Sequence, residues 1–86
     1  MTSNKTVFIT GASRGIGRAI AIRFAAAGYQ LALCCRQNTQ LLEDLKQLII
    51  SQYHTDCLIF TGDTGDYRQL EAMISESIAH FLHIDV

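Results

Sequence analysis

Three glycines near the N-terminus have a spacing that suits phosphate binding. Gly11, Gly15 and Gly17 follow a short apolar run, residues 5–9, and lead into a segment with helical spacing, residues 16–27. The start of a helix offers backbone N–H groups without partners and a partial positive charge. Glycines let a pyrophosphate approach that backbone closely. We expect Gly11 to form the turn, Gly15 to admit a ligand and Gly17 to let the helix pack on the strand.

The string from Thr10 to Gly17, TGASRGIG, resembles the cofactor signature of the short-chain dehydrogenase/reductase family. With residues 18–21 included, it is most similar to the 3-oxoacyl-(acyl-carrier-protein) reductases of that family. The resemblance covers the whole chain, but the chain corresponds to only the first part of the family's domain. It implies a nicotinamide cofactor site that includes the three glycines together with Ser13, Arg14 and Ile16. Thr10 and Ser13 would bond within the loop, or to a phosphate or ribose.

The residues after the second predicted strand indicate which nicotinamide cofactor binds. An acidic residue about 20 positions past the glycines binds the ribose 2′-OH of NAD, whereas a nearby arginine suits the 2′-phosphate of NADP. Here Cys35 occupies the acidic position and Arg36 follows it. The resemblance implies that Arg14, inside the glycine loop, reaches the same phosphate. We therefore expect NADP(H), with solvated surface arginines as the alternative interpretation of Arg14 and Arg36.

A polar loop, Gly62-Asp-Thr-Gly-Asp66, follows the third predicted strand. The resemblance implies that Asp63 binds the adenine amino group, with Thr64 beside it. Without the resemblance, an aspartate in such a loop is more often a turn former. Asp63 and Thr64 complete the candidate cofactor site.

The residues that would perform the family's chemistry do not occur in the chain. That chemistry needs a tyrosine and a lysine four positions apart, with a serine before them. The residues four positions after the three tyrosines are leucine, cysteine and glutamate, at Leu33, Cys57 and Glu71. The only lysines are Lys5 and Lys46. We expect no catalytic residue within these 86 residues.

Histidine and cysteine do not form a metal-binding pattern. His80 and His83 could share one face of a helix, but no third ligand of suitable spacing follows them. The three cysteines, Cys34, Cys35 and Cys57, also lack metal-ligand spacing. Cys34 and Cys35 would point to opposite faces of a strand, so at least one is a small core residue. We expect no metal site.

Apolar periodicity predicts strands and helices in strict alternation. The predicted strands are residues 5–9, 29–35 and 56–61. A helix over 16–27 ends at Gly28, a second begins at the N-cap candidates Asn38 or Thr39 and reaches residue 53, and a third covers 70–82 after a capping box of Asp66 and Gln69. The apolar stripes that we expect to face the sheet are Ile16, Ala19, Ile20, Phe24 and Ala27; Leu41, Leu42, Leu45, Leu48 and Ile49; and Leu70, Met73, Ile74, Ile78 and Phe81.

The order βαβαβα predicts an α/β fold, the N-terminal half of a Rossmann-like, doubly wound parallel sheet. Right-handed crossovers place the first two helices on one face and the third on the other. Residues 84–86 are typical of a strand that has only begun. Without a fourth strand, the first strand is an open edge, which favours self-association. We expect residues 1–86 to be a truncated NAD(P)-binding domain.

Composition excludes several other classes of function. The chain has 86 residues, 49% of them hydrophobic, and a formal net charge of −1. This balance gives no reason to expect a nucleic acid or a membrane as partner. The polar N-terminus and the short apolar runs predict neither a signal peptide nor a membrane span. Unpaired cysteines and the absence of a signal indicate a cytoplasmic protein.

Two classes of function remain from the sequence. The first is the NADP(H)-binding part of an oxidoreductase that transfers a hydride from NADPH to a ketone, with a 3-oxoacyl thioester as the expected substrate. The second is a stand-alone nucleotide-binding or regulatory module without catalysis. An inert truncation is a further alternative. The resemblance of the whole chain to a catalytic family, and the interrupted strand at its end, favour the first.

Overall fold

The computed structural model describes residues 5–37 and 39–86. Within these residues, strands and helices alternate in the predicted order: β1 Thr6–Ile9, α1 Gly15–Ala26, β2 Gln30–Cys35, α2 Thr39–Tyr53, β3 Cys57–Thr61 and α3 Tyr67–Phe81. Asn38, one of the two N-cap candidates for α2, lies outside the described residues. The other candidate, Thr39, is the first residue of α2.

The three strands form one parallel sheet in the order β1-β2-β3. Thr6 of β1 is paired with Gln30, and Leu31 of β2 is paired with Cys57. This register places the carboxyl ends of the strands at one edge of the sheet. The loops that follow β1, β2 and β3 therefore meet there, as the α/β arrangement predicts.

One face of the sheet is covered by α1 and α2. The main core cluster joins residues of the sheet to both helices, and its fully buried members include Leu31, Leu33, Leu42, Leu45 and Ile49. Ala32 and Cys34 are also buried but lie outside this cluster. Successive residues of a strand point to opposite faces, so these two side chains face the other side. The buried apolar residues of α3, Met73 and Phe81, also lie outside the main cluster, in agreement with the predicted placement of α3 on that second face.

The predicted inner face of α1 is wrong except for Phe24, which is partly buried against the core cluster. Its buried residues are Ala21 and Ala25, whereas Ile16 is 80% exposed and Ile20 is 41% exposed. The small side chains face the sheet because α1 starts very close to the loop after β1, where a large residue would not fit. Ile16 and Ile20 lie on the exposed side of α1, whereas Ile22 packs against the core cluster.

The inner face of α3 also differs from the predicted stripe. Met73, Ser77 and Phe81 are buried, whereas Ile78 is 43% exposed. Ser77 can be buried because its Oγ donates a hydrogen bond to the carbonyl of Met73 at 2.8 Å, which satisfies the hydroxyl. The predicted capping residue is confirmed, since the side chain of Asp66 accepts hydrogen bonds from two backbone N–H groups of the first turn.

The outer edge of β1 was predicted to be open, but it is partly paired with the C-terminal residues. The N–H groups of Asp85 and Val86 donate to the carbonyl of Thr6 at 2.8 and 3.2 Å, and Phe8 N–H donates to the carbonyl of Val86 at 3.1 Å. The carboxylate of Asp85 also accepts a hydrogen bond from Thr6 N–H at 2.9 Å and lies 2.7 Å from His83 Nδ1. Residues 84–86 therefore begin to extend the sheet beyond β1.

No helix in the described part of the chain combines the length and apolarity needed to span a membrane.

Candidate functional site

A cleft opens where the three strands end. It has a volume of about 230 Å³ and is formed by the loops after β1, β2 and β3; its lining residues are Thr10, Gly11, Cys34, Cys35, Arg36, Gly62, Asp63 and Thr64. A wider hollow of about 410 Å³ lies beside it, lined by Gly11, Ser13, Arg14, Cys35, Arg36 and Gln37. Three residues, Gly11, Cys35 and Arg36, line both. The cleft and the hollow together are called the groove below.

Backbone hydrogen bonds hold the loops of the groove to the end of β2. Ala12 N–H donates to the carbonyl of Cys34 at 3.1 Å, and Gly62 N–H donates to the carbonyl of Cys35 at 2.9 Å. Ala12 lies three residues past the end of β1, and Gly62 lies one residue past the end of β3, so both neighbouring loops are bonded to the last two residues of β2. The walls of the groove are therefore fixed by the same hydrogen bonding that builds the sheet.

The glycine loop has a backbone that requires glycine at two positions. Gly11 and Gly15 have φ angles of +63° and +64°, in the left-handed region that other residues rarely adopt. A Cβ at either position would meet no atom within 4 Å. Both glycines therefore face open space, which leaves room for a ligand to approach the backbone.

Gly17 is required for a different reason, the close contact between α1 and the glycine loop. A Cβ on Gly17 would overlap the carbonyl group of Gly11 and approach Cα of Ala12. The sequence predicted that Gly17 lets the helix pack on the strand. In the structure, Gly17 contacts Gly11 and Ala12, which belong to the loop after β1 and not to the strand itself. The helix start is thereby held against the turn that forms the groove.

The N-terminus of α1 is not capped by a side chain. Arg14 is the N-cap residue and makes no side-chain capping hydrogen bond, and the first turn contains no acidic residue. The N–H groups of this turn and the positive end of the helix dipole are therefore not compensated by an acidic or capping side chain. Such a helix start attracts an anion. Ser13 is buried beside it, whereas Ile16 is largely exposed.

Arg36 and Asp63 approach each other across the cleft. Arg36 Nη2 lies 3.8 Å from Asp63 Oδ2, and their side chains are 76% and 44% exposed. A pair this long and this accessible to water contributes little to stability. The sequence assigned each residue to a separate part of a cofactor, and it did not predict that they are paired.

Asp63 also acts as a turn former. Its Oδ1 accepts a hydrogen bond from Gly65 N–H at 2.8 Å, and its own N–H donates to Oε1 of Gln69 at 2.8 Å. Gln69 Nε2 in turn donates to Asp66 Oδ2. The side chain of Gln69 therefore connects the groove to the cap of α3. The structure therefore shows the turn-forming role that was the alternative interpretation of Asp63. The other carboxylate oxygen, Oδ2, faces Arg36.

The two cysteines at the end of β2 are buried, free thiols. Cys34 and Cys35 are 1% and 4% exposed, and both line the cleft. Burial, with a smaller effect of the neighbouring Cys35, raises the pKa of the Cys34 thiol. The uncharged Cys34 side chain therefore adds no negative charge to the groove. Asp63 is the one carboxylate among the residues that line it.

The structure brings most of the predicted site residues together. Six of the nine line the groove, and they are Gly11, Ser13, Arg14, Arg36, Asp63 and Thr64. Gly15, Ile16 and Gly17 lie at the start of α1, directly after the lining residue Arg14. The predicted site omitted Cys34, Gln37 and Gly62. Their positions within two residues of a strand end are the signal that could have identified them.

The groove has the features of an anion site, and the residue types that the family's chemistry requires are not among its lining residues. No tyrosine, lysine or histidine lines it. Within residues 5–37 and 39–86, no three His, Cys, Asp or Glu side chains cluster closely enough to hold a metal ion. The glycine turn, the uncapped helix and the two arginines fit an anionic nucleotide, with its diphosphate over the backbone N–H groups.

Comparison with known proteins places the chain in one family. The family model of short chain dehydrogenases matches residues 5–86. The 3-oxoacyl-(acyl-carrier-protein) reductase of Staphylococcus aureus is 33% identical over 86 residues, which cover 100% of this chain and 35% of that protein. The curated relatives show that this chain spans 27–35% of their length.

Solved structures share the fold. An alcohol dehydrogenase from Thermococcus sibiricus, complexed with 5-hydroxy-NADP, matches with a TM-score of 0.87 at 31% identity, over 94% of this chain and 34% of that one. The L-sorbose reductase of Gluconobacter frateurii, complexed with NADPH and L-sorbose, matches with a TM-score of 0.88 at 29% identity, over 96% of this chain and 31% of that one. These matches confirm the Rossmann-like arrangement predicted from the sequence.

Proposed function

The chain belongs to the short chain dehydrogenase family, and from this we propose that its groove binds the adenosine and diphosphate part of NADP(H). The observation that carries the proposal is the uncapped start of α1, which directly follows a glycine turn and lies next to two arginines. Two solved relatives were complexed with NADPH or an NADP derivative, which supports this choice of ligand.

The diphosphate is assigned to the glycine loop. Gly11 and Gly15 leave space in front of the backbone, and Gly17 lets α1 begin close to that turn. Ser13 is placed to donate its hydroxyl within the loop or to the ligand. Ile16, 80% exposed beside the helix start, would be covered by the bound cofactor.

The 2′-phosphate is assigned to Arg14 and Arg36. Both line the wider hollow, and Cys35 stands where a carboxylate would otherwise bind a ribose hydroxyl. Arginine suits this role because its planar guanidinium binds phosphate oxygens with two parallel hydrogen bonds. Asp63 and Thr64, at the end of β3, are assigned to the adenine.

A longer enzyme is the proposed context of this site. Residues 1–86 would be the cofactor-binding half of an NADPH-dependent reductase that transfers a hydride to a ketone. The curated relative from Staphylococcus aureus supports a 3-oxoacyl thioester as substrate, whereas the Gluconobacter relative was solved with L-sorbose. We propose a cytoplasmic location. Self-association through the β1 edge would require displacement of residues 85 and 86 from Thr6 and Phe8.

A second candidate function is a nucleotide-binding module without catalysis. It is favoured by the lining of the groove, which contains no tyrosine, lysine or histidine. The two candidates share the cofactor site and differ in whether the chain acts with catalytic residues outside positions 1–86. Coding sequence that continues with a tyrosine and a lysine four positions apart, Tyr-x-x-x-Lys, would favour the enzyme, and a stop codon after Val86 together with soluble, monomeric behaviour would favour the module.

Calorimetric titration of the 86-residue chain with NADPH and with NADH tests the proposed cofactor. We expect tighter binding of NADPH. Arg36→Ala should weaken NADPH binding about three- to thirtyfold, since it removes a charge-assisted contact at an exposed position, and should change NADH binding less than twofold. Arg23→Ala, which removes a cation at the other end of α1, is the control and should leave both affinities unchanged. Equal affinity for the two cofactors would contradict the NADP(H) assignment.

A further inference from the structure

The groove is lined by one carboxylate side chain, that of Asp63, although its expected ligand is itself negatively charged. Asp63 lines the cleft together with Arg36, and the distance from Arg36 Nη2 to Asp63 Oδ2 is 3.8 Å. The second cation, Arg14, has no carboxylate within 4 Å in the part of the chain that the structure describes. The two arginines therefore differ in how they can bind a phosphate. Arg36 is already close to a negative charge, that of Asp63, and would have to exchange it for the phosphate.

Asp63 is the fixed member of the pair. Its Oδ1 is held by Gly65 N–H, its N–H by Gln69 Oε1, and its carbonyl accepts a hydrogen bond from Asp66 N–H at 3.0 Å. The Arg36 side chain is more exposed, 76% against 44%, and its long aliphatic stem lets the guanidinium move. When a ligand arrives, the guanidinium can turn towards it, whereas the carboxylate stays in the cleft.

We propose that Asp63 is a specificity-determining residue that competes with the 2′-phosphate of the cofactor for Arg36. The inference rests on the proposed function and deepens it. A 2′-phosphate carries up to two negative charges close to the carboxylate, and like charges repel at this range. A ribose 2′-OH carries no charge and experiences no such repulsion. Asp63 therefore narrows the difference in affinity between NADPH and NADH.

Asp63 could also favour NADPH, by holding the Arg36 guanidinium in a position to bind the phosphate. We expect this effect on affinity to be smaller than the repulsion. An exposed ion pair with a separation of 3.8 Å restricts the arginine only weakly. The repulsion acts on the bound phosphate directly and is present for every arrangement of the arginine. Removal of the charge should therefore increase the preference for the phosphorylated cofactor.

Asp63→Asn tests this inference with little change in shape. Asparagine keeps an Oδ1 that can accept the hydrogen bond from Gly65 N–H, and it replaces Oδ2, the charged oxygen that faces Arg36, by an uncharged NH2 group. The quantity to measure is the ratio of the NADH and NADPH dissociation constants of the 86-residue chain. An adenine contact of residue 63 affects both cofactors equally and cancels in the ratio. We expect the ratio to increase about two- to fivefold.

Two further variants test whether the change in the ratio comes from the position of Asp63 beside Arg36 or from the loss of any negative charge. Glu76→Gln removes one negative charge from an exposed position of α3 outside the groove and should leave the ratio unchanged. In an Arg36→Ala background, the increase caused by Asp63→Asn should become smaller but not vanish, because the competition for the guanidinium is gone and only the direct repulsion of the phosphate remains. The effect of Asp63→Asn should also decrease with added salt, since the groups are exposed to solvent.

The outcomes distinguish this inference from the proposed function. A wild-type chain that prefers NADPH, with a ratio that is unchanged or lower in Asp63→Asn, would overturn the role of Asp63 and leave the proposed function intact. A wild-type chain that binds both cofactors equally, or neither of them, would overturn the proposed function and this inference with it.

Discussion

Gly17 controls how closely α1 approaches the groove. The helix begins against the carbonyl of Gly11, at a distance that leaves no space for a Cβ. An alanine would gain about 1 kcal/mol of helix propensity, but it would have to move backbone atoms of the turn. Because both partners of this contact belong to the candidate cofactor site, a change at Gly17 affects stability and binding together.

We expect Gly17→Ala to lower the free energy of unfolding by about 1–3 kcal/mol, the usual cost of overpacking. Gly62→Ala is the matched control. A Cβ at that position would meet the ends of the Met73 and Gln69 side chains and no backbone atom. Its cost should be smaller, because these ends can shift, with at most the loss of the hydrogen bond from Asp63 N–H to Gln69. Urea unfolding of both variants measures the difference. A Gly17→Ala chain that is as stable as the Gly62→Ala chain would contradict the close contact.

The thiol of Cys57 is expected to react slowly in the native protein. Burial raises its pKa to about 12, with Lys46 lowering it and Asp56 raising it to a smaller extent. At pH 8 only about one thiol in ten thousand would be ionised, against roughly a quarter for an ordinary cysteine. Alkylation at pH 8, followed by mass spectrometry of peptides, should show slow labelling in buffer and fast labelling in urea. Equally fast labelling of Cys57 under both conditions would show that the first residue of β3 is not packed as described.

At the scale of the elements, the start of α3 is defined by its cap. Asp66 Oδ1 accepts hydrogen bonds from Arg68 N–H at 2.9 Å and from Gln69 N–H at 3.4 Å. The Gln69 side chain does not return to the N–H of Asp66 as in a regular capping box. It binds the N–H of Asp63 instead. The cap of α3 therefore supports the loop that carries the groove's carboxylate.

Replacement of the capping residue should destabilise the chain. We expect Asp66→Ala to lower the free energy of unfolding by about 1 kcal/mol, because two N–H groups lose their acceptor. Asp66→Asn keeps a side-chain acceptor and should be closer to the wild type. Thermal or urea unfolding of the two variants measures the effect. Equal stability of Asp66→Ala and wild type would contradict the capping role.

The elements were largely predictable from the sequence, but the inner faces of two helices were not. The alternation of strands and helices, and the approximate residues at which they begin and end, follow from local signals such as the apolar runs, the glycines and the Asp66 cap. On α1, alanines and isoleucines are both apolar, so periodicity alone could not show that Ala21 and Ala25 face the sheet. On α3, Ser77 is polar, and its burial depends on a bond to the carbonyl of Met73 that only the helix provides.

At the scale of the whole molecule, the sheet holds both the groove and the partly paired edge of β1. The loops of the groove were predictable, because parallel strands end at one edge. The Arg36–Asp63 pair was not, since it depends on the distance between two loops, and the two residues are 27 positions apart in the sequence. The bonds of Asp85 to Thr6 depend in the same way on the return of the chain to β1.

The paired edge of β1 should depend on pH through Asp85. The hydrogen bond from Thr6 N–H, assisted by His83, lowers the pKa of the Asp85 carboxyl. A lowered pKa in the folded state stabilises the fold above the ordinary value near 4, and this contribution is lost as the pH falls through the native value. Asp85→Asn should therefore have a lower Tm than wild type at pH 7, with a difference that decreases below about pH 4.

Asp44→Asn is the control for this prediction, because Asp44 is exposed on α2 and an asparagine can still accept the hydrogen bond from Gln40 Nε2. Its Tm should follow that of the wild type at each pH. A difference between Asp85→Asn and wild type that stays constant down to pH 3 would show that the carboxylate of Asp85 does not carry the stabilisation.

The most direct test of the cofactor site is a map of the backbone amides that respond to NADPH. Titration of the ¹⁵N-labelled 86-residue chain should shift the amide signals of Gly11, Gly15, Gly17 and Arg36, with smaller shifts in an equal titration with NADH. The amides of Arg23 and Phe24, at the far end of α1, should not move. Shifts confined to that far end, or no shifts at millimolar NADPH, would contradict the assignment of the groove as the cofactor site.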